Sequence, residues 1–202
     1  MGDLILVEPD KIFQKSFENY ALSYGKINDN HYFNKYRKAL VDFQDYLIDL
    51  HNYSKGNDLP KGEVITSTFW LIDKKDVVGV VRIRHQEIES AGHIGYDISP
   101  DCRNRGYGFQ ILKLALEKAK KIGIEELILT CNIDNAASKK IIEKNSGKLY
   151  GIIFDEEENE YLYKYCIFLK HIQWFNISYF FCFSVNKNEK SLKLQTKKYL
   201  FI

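Results

Sequence analysis

Net charge is nearly absent from this chain: 29 basic residues face 27 acidic ones, a formal balance of +2 over 202 residues. Such a balance lacks the electrostatic footprint of a protein built to hold nucleic acid or a membrane surface. Paired cysteines are missing as well. Cys102, Cys131, Cys166 and Cys182 lie far apart with no C-x-x-C pair, so free thiols in a reducing cytoplasm are expected rather than disulfides or zinc. No secretory leader is expected, because Asp3, Glu8 and Asp10 interrupt the early apolar run. The aromatic stretch Trp174 to Val185 is cut by Asn176 and Ser178 and is too short to span a bilayer. No internal repeat is visible. What remains is 45% apolar and 28% charged, the balance of an ordinary cytoplasmic globular domain. The length suffices for one domain with a real core, with room for an appendage.

Periodicity orders the elements. Leu4 to Val7 reads as a short strand. Ile12, Phe13, Phe17, Tyr20, Ala21 and Tyr24 recur at helical spacing, and after a break at Gly25 to Asn30 so do Phe33, Tyr36, Leu40, Phe43, Leu47 and Leu50. The second stripe reads as the buried face of one helix, and its aromatics as packing. Thr66 to Ile72 and Val77 to His85 form a hairpin around Asp73 to Asp76, with a linker from Gln86 to Ala91. Arg82 and Arg84 share one face of the second strand, suited equally to an acidic substrate or coenzyme and to open solvent. His93 to Ser99 is a strand, followed by a helix to Ile122 that Gly123 caps. Glu126 to Cys131 is a continuous apolar strand, then come a helix through Lys144 and two antiparallel strands, Leu149 to Phe154 and Tyr161 to Leu169. The expected fold is mixed α/β: a central, mostly antiparallel sheet with one parallel strand pair joined through a right-handed crossover, and flanking helices. Residues 1–170 form that domain and 171–202 an extension. The extension, rich in aromatics and then lysine, reads either as a weakly ordered tail or as an edge cover that mediates homodimerisation.

The chemistry concentrates where the His93 to Ser99 strand meets the next helix. Arg103-Asn104-Arg105-Gly106-Tyr107-Gly108 opens that helix. A strand feeding a glycine-bearing helix start is an anion site, since the first amides lack partners and the helix dipole adds positive charge. Ile111 stands where a dinucleotide loop needs its third glycine, and Phe109-Gln110 stand where a P-loop needs Lys-Ser/Thr. The pattern left is R-x-x-G-x-G.

That string after I-S-P resembles the coenzyme A pyrophosphate loop of the GNAT acetyltransferase superfamily, and the resemblance covers roughly residues 66–169. The chain is most similar there to predicted bacterial acetyltransferases sharing runs like V-V-R-I-R-H, G-H-I-G-Y and D-N-A-A-S-K-K. The resemblance implies acetyl-CoA as cosubstrate, an amine acceptor that is a small molecule or a peptide, and a gap where the strands at His93 and Glu126 splay. The pantetheine arm would enter the gap and pair with main chain near Ile98 and Ser99. It implies further that Asn135 reaches the coenzyme, with Ser138 nearby, although Asn135 serves equally well as a helix cap.

Acyl transfer from a thioester to an amine needs a neutral amine, which otherwise titrates near about 10.4, a donor for the oxyanion and a departing thiolate. A strand amide at a bulge near Ile98 could be the donor. For the base the reading nominates His93, with the alternative that it is a hydrogen-bonded histidine within the sheet, and His85 as a weaker candidate. Many family members carry a tyrosine acid at the position that is Ile142 here. Either the thiolate leaves unaided, or another hydroxyl such as Tyr96 or Tyr150 serves, or the chain binds acyl-CoA without turnover. Three functions follow: an N-acetyltransferase, a non-catalytic acyl-CoA-binding module, and an interaction domain working through its tail.

Overall fold

The computed structural model describes residues 3–169, so the readings placed on the 171–202 extension, including homodimerisation, lie outside the described residues. The element order is β1 (Ile5–Val7), α1 (Gln14–Lys26), α2 (Asn30–Val41), α3 (Phe43–Lys55), β2 (Thr66–Asp73), β3 (Asp76–Ile88), β4 (Gly92–Ile98), α4 (Tyr107–Ile122), β5 (Glu126–Asn132), α5 (Ala136–Lys144), β6 (Lys148–Asp155) and β7 (Glu160–Phe168).

One difference from the sequence reading is the second helix, which is two. Asp42 leaves the helical region at φ −143° and ψ 96°, and its carboxylate accepts from the Asp45 amide at 2.9 Å. It therefore closes α2 and caps α3. Both halves keep the apolar period, which is why the break is silent in the pattern of large residues. A second difference is that β3 runs to Ile88, taking in half of the expected linker.

The expected single sheet is divided. β1, β2, β3 and β4 form one antiparallel sheet in that order, and β5, β7 and β6 form another. Among the described residues no ladder joins β4 to β5, so each presents an unpaired edge toward the other. They remain joined at one end. The Ile128 amide of β5 donates to His93 Nδ1 of β4 at 3.0 Å, and Thr130 Oγ1 donates to the Ser90 carbonyl at 2.8 Å. Gly92, at φ 59°, lets the backbones close here: a Cβ on it would stand 2.6 Å from the Ile128 carbonyl oxygen.

The first sheet is covered on both faces, and its side chains alternate between two cores. Phe69, Leu71, Val81 and Ile83 pack with Ile111, Leu112 and Ala115 of α4 and with Leu127 and Leu129 of β5. Trp70, Ile72 and Val80 face the other way, onto Phe17, Tyr20, Tyr36 and Phe43 of the three N-terminal helices. Phe17 stacks on Trp70 with ring centroids 4.4 Å apart. This double burial explains the near-continuous apolar runs of β2 and β3, which a one-sided strand would not show.

Candidate active site

The splayed edges of β4 and β5 enclose a cavity of about 250 Å³. β4 supplies Gly95 and Tyr96, β5 supplies Leu129 to Cys131, and Asn135 and Ser138 close the α5 side. Tyr32 and Lys35 of α2 and Arg82 and Arg84 of β3 complete the wall. The apolar run into β5 and the glycine in β4 thus frame a slot with two free strand edges, suited to an extended ligand carrying amides.

At the far end of β4 the chain turns through Pro100–Cys102 into the loop at Arg103. Asn104 and Gly106 take positive φ, 62° and 81°, and Gly106 caps α4 without a side chain. Gln110 donates back to the Gly106 carbonyl, while among the described residues no backbone acceptor meets the amides of Asn104 to Phe109. Arg103 and Arg105 are exposed beside them. Free amides, a helix start and two guanidinium groups converge as an anion cradle. Tyr107 is not part of its open face: its side chain is buried and its hydroxyl donates to Asp73 Oδ2. Gly108 is needed for packing, since a Cβ there would stand 2.6 Å from Ile141 Cδ1 of α5.

The profile of the acetyltransferase (GNAT) domain matches residues 28–148, which include α2, the cavity and the loop. The chain belongs to the GNAT acetyltransferase family. Solved structures of GNAT enzymes agree with it in fold. The microcin self-immunity acetyltransferase MccE, in complex with acetyl-CoA and AMP, superposes with a TM-score of 0.61 at 15% identity, covering 82% of this chain and 92% of that one. RimJ of Mycobacterium smegmatis, in complex with a CoA disulfide, gives 0.63 at 12% identity over 83% of this chain and 82% of its own. A chimera based on the spermidine N-acetyltransferase SpeG of Vibrio cholerae gives 0.55 at 14%, over 82% and 95%. No curated protein sequence matches the chain.

Within this GNAT domain the nominated residues separate. Tyr96, Asn135 and Ser138 meet at the cavity. The Tyr96 hydroxyl is buried and makes no hydrogen bond of full geometry; burial lifts it well above the ordinary phenol range, and the neighbouring Ser138 side chain acts the other way. Tyr150 is 75% exposed on β6, outside the cavity. Asn135 caps α5, its Oδ1 accepting from the Ser138 amide at 2.9 Å. Ile142 is buried in the core and reaches the cavity wall, so no hydroxyl stands at that position.

His93 is placed differently from its nominated role. Its Nδ1 takes the Ile128 N–H, which puts the proton of the neutral ring on Nε2 and leaves no free lone pair. It does not line the cavity, and burial holds its pKa below the usual histidine value. That geometry ties β4 to β5 and agrees with the alternative of a hydrogen-bonded histidine within the sheet. His85 is likewise paired, its Nε2 2.9 Å from Ser67 Oγ. No bulge lies near Ile98, because β3 and β4 hold register from Gly79–Ile98 to Ile83–Ile94 and shift only beyond. Ser99 has both main-chain groups engaged: its amide with Val78 O at 3.0 Å, its carbonyl with the Cys102 amide at 2.8 Å. The Ile98 carbonyl accepts from Arg103 Nε at 3.3 Å. Main-chain pairing with an extended ligand therefore falls to β4 residues before Ser99.

A feature missed in the sequence lies behind β4. The Asp97 carboxylate, 5% exposed, accepts from Tyr20, from Tyr24 at 2.8 Å, from Tyr36 at 2.8 and 2.9 Å, and from Arg82 Nη2 at 2.6 Å. Burial first, and the carboxylate second, push the Tyr20 and Tyr24 hydroxyls far up, so both remain donors. Arg82 is thus paired through Nη2 to Asp97 and through Nη1 to the Tyr36 hydroxyl, while it also lines the cavity. The cluster pins α1 and α2 to the strand that bears Tyr96.

Proposed function

We propose that this chain is an N-acetyltransferase that moves acetyl from acetyl-CoA to a primary amine by direct attack in a ternary complex. The observation that carries the reading is the slot between the free edges of β4 and β5, with Tyr96, whose hydroxyl is buried, in its wall. Two structures of like fold hold acetyl-CoA or a CoA disulfide, which supports that cosubstrate.

In this reading the pyrophosphate lies on the amides from Asn104 to Gly108, with Arg103 and Arg105 as counter-charges, and the pantetheine amides pair with the edge of β4 near Tyr96 to Ile98. Asn135 and Ser138 flank the arm from the α5 side. The acceptor nitrogen, once neutral, attacks the thioester carbonyl. An N–C bond forms, an edge amide of β4 receives the oxyanion, and collapse breaks the C–S bond. The Tyr96 hydroxyl donates its proton to the departing sulfur, and the proton shed by the amine returns to the phenolate through water at the cavity mouth. His93 keeps the closed end of the two strands together. Acetyl-CoA chemistry suits a cytoplasmic setting.

A second reading, acyl-CoA binding without turnover, draws on Ile142 at the usual acid position. Continuous assay of thiol release with a panel of primary amines decides between them. Amine-dependent release, with one acetyl group gained by the amine, is expected. Acetyl-CoA binding with no amine-dependent release would leave the binding module as the better account.

A further inference from the structure

The acceptor end of the cavity carries a chemical preference, on the footing that acetyl transfer is the reaction. Lys35 and Arg84 line the same cavity, and no acidic residue lines it. Arg82 is already matched by Asp97, so the two unmatched cations are Lys35 and Arg84. Arg84 is held in place by one bond, Nη1 to the Ala91 carbonyl at 3.1 Å, and among the described residues neither cation has an ion pair. Gly95 lies beside the guanidinium: a Cβ there would stand at ordinary contact distance, 3.7 Å, from Nη1. These groups are not at the anion cradle. Ala91 precedes β4 and Arg103 follows it, so seven residues of strand, roughly 20 Å at about 3.3 Å each, lie between them.

We propose that the acceptor is a primary amine whose molecule also carries a carboxylate, held between Lys35 and Arg84 while its nitrogen faces the thioester. Two cations with free donors form charge-assisted bonds with a carboxylate and repel the second ammonium of a polyamine. The volume, shared with the end of the pantetheine arm and the acetyl group, leaves room only for a small acceptor. Crowding by protein, then Arg82 and Arg84, bring the Lys35 ammonium down to about 8, with Asp97 and Glu63 acting the other way. An anion bound beside it relieves that repulsion.

The test uses the full chain and acetyl-CoA, with γ-aminobutyrate, n-butylamine and putrescine as acceptors of matched length, and α- and β-amino acids to vary the spacing. At least one amino acid is expected to exceed n-butylamine in kcat/KM by about tenfold, the scale of one charge-assisted contact, with putrescine lowest. Lys35→Gln and Arg84→Gln should each raise KM for that amino acid by about tenfold while calorimetry shows acetyl-CoA affinity unchanged, which also confirms folding. Between about pH 7 and pH 9 the parent's KM should rise relative to that of Lys35→Arg, as Lys35 loses its charge while the acceptor's own titration is common to both. If acetyl-CoA fails to bind the parent, the transferase reading itself falls. If it binds, three results overturn the proposal: putrescine equal to or better than every amino acid, both glutamine variants within twofold of parent KM, or no amino acid turned over at any spacing.

Discussion

Asp97→Asn is expected to destabilise the folded chain by about 3–5 kcal/mol, the cost of stranding a buried charge by removing its partner. The Arg82 side chain is only 15% exposed, and its counter-ion is 3% exposed. Asparagine keeps the volume but supplies one neutral acceptor oxygen for three phenols and a guanidinium. On a domain of this size the midpoint of thermal unfolding should fall on the order of 10 °C. Tyr24→Phe removes one donor among several and should cost about 1.5–3 kcal/mol, the range for a bond to a charged group. Urea denaturation of the two variants beside the parent checks the order. An Asp97→Asn protein as stable as Tyr24→Phe would mean that the carboxylate is not the hub joining α1 and α2 to β4.

Tyr96→Phe should lower kcat about a hundredfold, the low end of what a positioned acid contributes, because a thiolate is a fair leaving group by itself. KM for acetyl-CoA should hardly move. Stability separates this role from a structural one. The hydroxyl is buried with no hydrogen bond of full geometry and only Ser138 acting on it, so its removal should move the unfolding midpoint little. A drop in kcat with no loss of stability is the signature of a group that acts on the reacting atoms. Turnover within threefold of parent would exclude Tyr96 as the acid and return the thiolate to unaided departure.

The β4–α4 loop was legible because its information is local. A strand, two glycines at fixed spacing and an amphipathic helix lie in one stretch, and the loop that results has free amides. The surroundings of the cavity on the α1–α2 side were not legible, because their information is tertiary. Tyr20, Tyr24 and Tyr36 sit at helical spacing and read as an apolar stripe. Only the fold shows that their hydroxyls converge on a carboxylate 61 to 77 residues away. Arg82 and Arg84 look alike on one strand face and both line the cavity, yet Arg82 is paired with Asp97 and Arg84 has no carboxylate partner among the described residues. His93 illustrates the same limit: the sequence left a base and a hydrogen-bonded histidine open, and the Ile128 amide on its Nδ1 favours the second. Asp42 left a faint signal, an aspartate three residues before a second one in a helical stripe, and capping explains it after the fact.

Calorimetric titration of the full chain with acetyl-CoA, beside an Arg103→Glu, Arg105→Glu variant, tests the central claim most directly. Both arginines are exposed, so the variant should fold. Dissociation in the micromolar range is expected for the parent, weakening at least about a hundredfold when two counter-charges become repulsive. Absence of binding in the parent, or equal affinity in both proteins, would contradict the assignment of the β4–α4 loop as the coenzyme cradle.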